Sequence, residues 1–331
     1  MKPSAAWLQK KSVKVCASIL LAFFFLYRAV DFYIKAFHGF AWDYSINWTA
    51  ALGLLDGLSV YDRQALQQLA VLHIDQGMQT LFAGRFTSFI GLPTTAMFHM
   101  PFTVLAFEVS VQVYRTLSLL AMCLSIILTG FAVPEPMRWR AWLVGFACLL
   151  CWNAFSFSLR LGQVDAWVLL CLAVSVLAVS RQWRLAAGVA MGVATLLKIS
   201  PGWLLLYGLM KRQWLVVAGA AGSVLLGLLL SALPRHGTEL VEFFTMVLPA
   251  LGDSPLHVQN QSLGAFLARL TTDDVQLTTF VAGTGRWKLI GVLASALLLA
   301  MLYRQTDKGA LNACELATII PIALLAGPLT W

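Results

Sequence analysis

The chain has 331 residues, 60% of them hydrophobic and 11% charged, with 23 Lys and Arg against 15 Asp and Glu for a net charge of +8. An average soluble domain is about 25% charged, so this chain has too few polar side chains to cover a soluble fold, and at about 20 apolar residues per crossing it can supply on the order of ten spans. Disorder, a coiled coil and a nucleic-acid module are disfavoured, because in a membrane chain a positive balance marks cytoplasmic loops rather than a face for nucleic acid.

Lys2, Lys10, Lys11 and Lys14 precede an apolar run from Val15 to Val30 with no small-x-small cleavage site after it. This predicts an uncleaved first span with a cytoplasmic amino end. A polar stretch, about 31–85, follows. In it Ile46, Ala50, Gly53, Leu54 and Gly57 recur at helical spacing, predicting a short amphipathic helix on the membrane surface. Asp43 falls at the start of that helix, where a capping role and a chemical role both fit the residue type.

The run 86–107 is interrupted by Pro93 and Pro101 and reads as re-entrant or interfacial; 110–131 reads as a span. Arg138 and Arg140 lead into 141–158. The segment Arg160-Leu161-Gly162-Gln163-Val164-Asp165 then places charge and amide groups between two apolar runs, either as a turn capping two helices or as part of a site. After 164–180 and the pair Arg181 and Arg184, the run 185–210 is broken by Lys198, Ser200 and Pro201, predicting two half-helices that meet inside the membrane. Lys198 either snorkels to an interface or faces a water-filled pocket that holds an anion.

Lys211 and Arg212 precede 215–233, a second polar stretch covers about 234–285, and the runs 287–303 and 311–331 flank Arg304 and Lys308. Twelve of the 23 bases lie at the amino end or in these short basic turns, which are therefore cytoplasmic; the two long polar stretches hold ten of the 15 acids and only five bases, and face outward. The six cysteines all lie in apolar runs, and neither a disulfide framework nor a zinc site is expected. The expectation is an all-α, single integral membrane domain over 1–331, a multi-pass protein of the cell membrane with about nine to eleven transmembrane or half-membrane helices and two outer loops carrying short surface helices.

The run Asp43-Tyr44-x-x-Asn47-Trp48-x-Ala50-Ala51, with Leu55-x-Gly57 and Tyr61-Asp62, resembles the first outer loop of glycosyltransferase family 87, membrane enzymes of the GT-C superfamily. Further similar stretches follow in order: Gly162-Gln163-Val164-Asp165, Arg181 to Arg184, Leu197-Lys198-x-x-Pro201, Lys211-Arg212, Asn260-Gln261-Ser262-Leu263 and Gly327-Pro328-Leu329-Thr330-Trp331. The chain departs from the family at Phe86-Thr87-Ser88-Phe89, where an aromatic and two prolines are usual. Family members also commonly continue beyond the Pro-x-x-Trp stretch, so the resemblance implies a C-terminally shortened chain.

The resemblance implies a GT-C-like hexosyltransferase that moves a hexose, most often mannose, from a polyprenyl-phosphate donor to a lipid or glycan acceptor at the extracytoplasmic face. Asp43 matches the family's catalytic aspartate and becomes the expected general base of an inverting transfer. Arg160 and Lys198 are candidates for the lipid phosphate by charge; Gln163, Asp165, Asn260 and Gln261 complete the expected substrate-binding set. A lipid-phosphate leaving group needs no metal, Asp273-Asp274 lacks an Asp-x-Asp spacing, and no cofactor or nucleic acid is expected. A transporter or flippase of lipid-linked sugar, motivated by the break at Lys198 and Pro201, and an inactive shortened homologue stand as alternatives.

Overall fold

A computed structural model describes residues 5–74, 89–233, 237–250, 263–270, 285–306 and 311–326, and every regular element among them is a helix. Helix α1, Ala5–Phe37, has 33 residues and is about 50 Å long, well over the roughly 30 Å of a bilayer's hydrocarbon core. Leu20, Phe23, Leu26 and Tyr33 are exposed along it. The sequence puts the start of the first outer stretch near residue 31, but Asp31 is still helical. It pairs with Arg28 at 2.8 Å and Lys35 at 2.9 Å, one helical turn to either side, contacts that extend a helix rather than end it.

Helix α2, Trp42–Leu55, corrects a second expectation. It does not lie on a surface: Tyr44, Ser45, Trp48, Thr49, Ala50, Ala51, Gly53 and Leu54 are all buried. Its inward-facing hydroxyls are satisfied within the helix, with Ser45 donating to the Trp42 carbonyl and Thr49 to the Ser45 carbonyl, both at 2.7 Å. Burial on nearly all sides therefore leaves these hydroxyls satisfied. Asp62 then caps α3, Arg63–His73, by accepting from the Gln64 and Ala65 amides.

The proline-interrupted run forms only α4, Pro93–His99, and a 3-10 turn, Met100–Val104. Helices α5 (Phe107–Ala132), α6 (Glu135–Cys151) and α7 (Asn153–Leu161) follow, then α8 (Asp165–Ser180), α9 (Arg184–Leu197), α10 (Gly202–Met210) and α11 (Trp214–Ser231). Among the described residues two helices, α5 and α11, are long and apolar enough to cross a membrane, or three if α6 and α7, bent by 62°, make one span. Trp152 and the Lys198–Pro201 break divide their apolar runs into shorter helices, and Asp165–Ser180 and Arg184–Leu197 are apolar but shorter than a full span.

The break at Lys198 does form two half-helices, and their direction is informative. Gly188 of α9 lies against the Val216 backbone, Gly192 against the Ala220 backbone, and Leu196 against Gly227. Residue numbers rise together, so α9 and α11 run parallel, and their backbones approach so closely that only glycine fits. The intervening α10 must return toward the end from which α9 started. Thus α9 and α10 form a helical hairpin, with the basic turns at 181–184 and 211–214 at one end and Lys198 to Pro201 at the other. The freed carbonyls near the tip are taken up by α4: Thr94 donates to the Leu196 carbonyl at 2.7 Å and Thr95 to that of Leu197 at 3.2 Å.

Lys211 departs from the expectation of a loop charge. It is buried and paired at 3.0 Å with Glu315, on helix α12, Ala313–Ala326.

Candidate functional site

The site begins with a turn. Helix α7 ends at Gly162 in the left-handed conformation (φ 70°), with the Gly162 amide bonded to Leu159 and the Gln163 amide to Ser158. This is a Schellman stop, which favours glycine. A Cβ at Gly162 would also overlap that of Tyr44, so the turn can sit directly against α2. Consequently the next residue, Gln163, faces the residue before Tyr44: its Nε2 donates to Asp43 Oδ2 at 2.7 Å. Tyr114 fixes the same turn from α5 by donating to the Gln163 carbonyl at 3.1 Å.

Two residues on, Asp165 opens α8, where the helix N-terminus favours its negative charge. Because α9 runs antiparallel to α8, the C-terminal end of α9 returns to this point, and Lys198 Nζ meets Asp165 Oδ1 at 2.7 Å. Both side chains keep about a quarter of their surface exposed, 25% for Lys198 and 28% for Asp165.

Asp43, Gln163, Asp165 and Lys198 are thus brought together from three separate stretches of chain. Desolvation by the surrounding protein pushes the Asp43 carboxyl up to about 6; the Gln163 amide opposes this, the Asp165 charge adds to it, and the Lys198 ammonium opposes it. Asp43 lies in the first turn of α2, but the N-cap residue is Ala41, and the carboxylate reaches across to another helix. A carboxylate held near pH 6 beside a partly exposed ammonium can accept a proton at neutral pH while positive charge stands close by.

Among the described residues, Arg160 does not join this group. The Arg160 guanidinium is exposed and stacks over the Phe157 ring, 4.9 Å from its centroid. Asn260 and Gln261 lie outside the described residues. Sequence reasoning passes over Arg115, a lone arginine within the apolar run 110–131. It is 1% exposed and donates to the carbonyls of Phe37, Gly39, Leu159 and Arg160. The cost of a charge in an apolar helix, the signal that singles out Lys198, applies to it equally. Thr94 and Thr95 carry no signal, because hydroxyls in helices are common.

The sequence model of glycosyltransferase family 87 matches residues 89–328. No curated protein matches, nor does any solved structure. Gln163, Asp165, Lys198, Asn260 and Gln261 fall inside the matched stretch; Asp43 precedes it, and its place in the site rests on its contact with Gln163.

Proposed function

This chain belongs to glycosyltransferase family 87, and from that premise we propose that it is a membrane hexosyltransferase with a GT-C-like architecture. It takes a hexose, mannose by first choice, from a polyprenyl-phosphate donor and passes it to a lipid or glycan acceptor on the extracytoplasmic side of the cell membrane. The observation that carries this reading is the convergence of the Asp43–Gln163 and Asp165–Lys198 contacts, each 2.7 Å, in one place.

In the proposed step the acceptor hydroxyl oxygen forms a bond to the anomeric carbon while Asp43 takes its proton. The bond from that carbon to the phosphate oxygen breaks on the opposite face, with inversion, and the electron pair leaves with the polyprenyl phosphate. The phosphate thereby goes from one negative charge to nearly two. A nearby ammonium binds the transition state more strongly than the ground state, which is the condition for accelerating the step. Lys198 fills that role; Asp165 orients it, and Gln163 orients the base. Arg160 at the rim, and Asn260 and Gln261 of the second outer stretch, are assigned to donor or acceptor binding by residue type.

Depth supports the same reading. The 14 residues of α9 place Lys198 about 21 Å from the basic turn at Arg184, inside a hydrocarbon core of roughly 30 Å. With that turn cytoplasmic, the pair lies toward the far leaflet, where a lipid-borne phosphate can reach it.

The test is transfer of labelled hexose from polyprenyl-phosphate-hexose by membranes containing the protein. Asp43→Ala and Asp43→Asn should abolish transfer with the protein still present. Retained transfer in either variant removes Asp43 as the base.

A further inference from the structure

We infer that Arg115 is a positioning residue of the transfer site, clamping the chain segment that leads into Asp43 to the one that leads into Gln163. The inference rests on the reading of Asp43 as the base and adds a residue outside the reacting set.

The four carbonyls that Arg115 engages fall into two groups. Phe37 and Gly39, at 2.9 and 2.8 Å, belong to the end of α1 and the connector that reaches Asp43 four residues later. Leu159 and Arg160, at 3.2 and 2.5 Å, belong to the last turn of α7, and Gln163 follows three residues after Arg160. One planar guanidinium therefore spans both approaches to the 2.7 Å contact between Asp43 and Gln163.

The bonds made by this cation run to backbone carbonyls, and their location supplies the countercharge. The C-terminal ends of α1 and α7 both carry exposed carbonyls and the negative ends of helix dipoles. Two such ends placed side by side repel, and a buried guanidinium between them turns the repulsion into a joint. The fork of Arg115 serves both groups from one fixed plane; a lysine ammonium offers a single point charge and cannot span them. Gly39 contributes through its left-handed backbone (φ 92°), which turns its carbonyl within reach of Arg115.

The experiment is a double-mutant cycle read by transfer of labelled hexose from polyprenyl-phosphate-hexose, using purified full-length protein and rates normalised to folded protein. Arg115→Lys should lower kcat about tenfold with donor KM within twofold, because Lys198 is not on either clamped segment. In a Gln163→Ala background, where the contact is already gone, the same change should cost less than twofold. Equal losses in both backgrounds, or a loss only in the yield of folded protein, would overturn the inference. If Arg115→Lys does not fold, Gly39→Ala, which keeps the buried charge and disturbs one clamped carbonyl, is read in the same cycle with the same criteria. Asp43→Asn run in parallel separates the two claims. Transfer retained in Asp43→Asn overturns the base reading and the inference with it, whereas an inactive Asp43→Asn with an additive cycle overturns the inference alone.

Discussion

Two lysine–carboxylate pairs lie on the α9–α10 hairpin, one near each of its ends, and they differ in nearly everything except chemistry. Lys198 and Asp165, near the tip, keep a quarter of their surface each and bond at 2.7 Å. Lys211 and Glu315, at the opposite end, are 0% and 3% exposed. Around the buried pair, Thr306 accepts from Lys211 at 2.8 Å, Tyr207 donates to Glu315 at 3.3 Å, and Asn312 donates to its other oxygen at 2.9 Å. A pair saturated in this way joins α10 to α12 and has no room for a ligand. A partly hydrated pair holds its cation at low cost and can yield it to the phosphate of the proposed donor, since partly exposed ion pairs contribute at most about 1 kcal/mol.

The sharpest way to break this comparison is to strip each end of its charge and ask whether function or folding fails. At the tip, Asp43→Asn should lower transfer by about 10²–10⁴-fold, the usual worth of a general base, without loss of folded protein. At the other end, Lys211→Met should destabilise the fold by about 3–5 kcal/mol, because it strands a buried carboxylate; thermal unfolding in detergent reads this directly. Lys198→Met should do the reverse, lowering kcat about 10–100-fold for a lost charge-assisted bond of roughly 1.5–3 kcal/mol that strengthens as the phosphate gains charge while changing stability by less than about 1 kcal/mol. A Lys198→Met protein that melts as early as Lys211→Met would erase the distinction.

The acidic limb of kcat/KM sharpens the picture of the tip. As the proposed base Asp43 would work ionised, so activity should fall below pH about 6, and Gln163→Ala, which removes a bond favouring the ionised form, should move that limb to higher pH. Stability follows the same group with the opposite sense. Because folding raises the carboxyl from 3.8 to about 6, the folded state binds the proton more tightly, and stability is lost as pH rises through that window. Asp43→Asn should therefore be the more stable protein at pH 8, by at most about 3 kcal/mol, with the difference gone below pH about 4. Gly162→Ala should cost at least about 1–3 kcal/mol for a strained left-handed residue, with the overlap against the Tyr44 Cβ added to it, accompanied by a weaker response of the acidic limb to Gln163→Ala.

Much of this site is legible in the amino-acid sequence. Asp43, Gln163, Asp165 and Lys198 stand out there because polar groups beside apolar runs are costly, and the break at Lys198 follows from the proline three residues on. The misleading element is α2. Its spacing of small and apolar residues reads as one wet face and one dry face, yet Ser45 and Thr49 satisfy themselves on their own backbone and permit burial all round. Arg115 escapes notice for a related reason, because an arginine whose partners are backbone carbonyls leaves no partner in the sequence to find.

Composition alone determined that the chain is helical and apolar, since too few polar side chains exist to cover any other surface. Local chemistry determined where helices stop, at Gly162 and before Pro201, and where α3 starts, at the Asp62 cap. Tertiary structure alone decided that the hairpin doubles back, that Lys211 is buried while Lys198 is not, and that residues 43, 163 and 198 share one place. Those facts depend on which backbones approach closely enough to exclude side chains and water, and that is a property of pairs of segments distant in the chain, which no local pattern encodes.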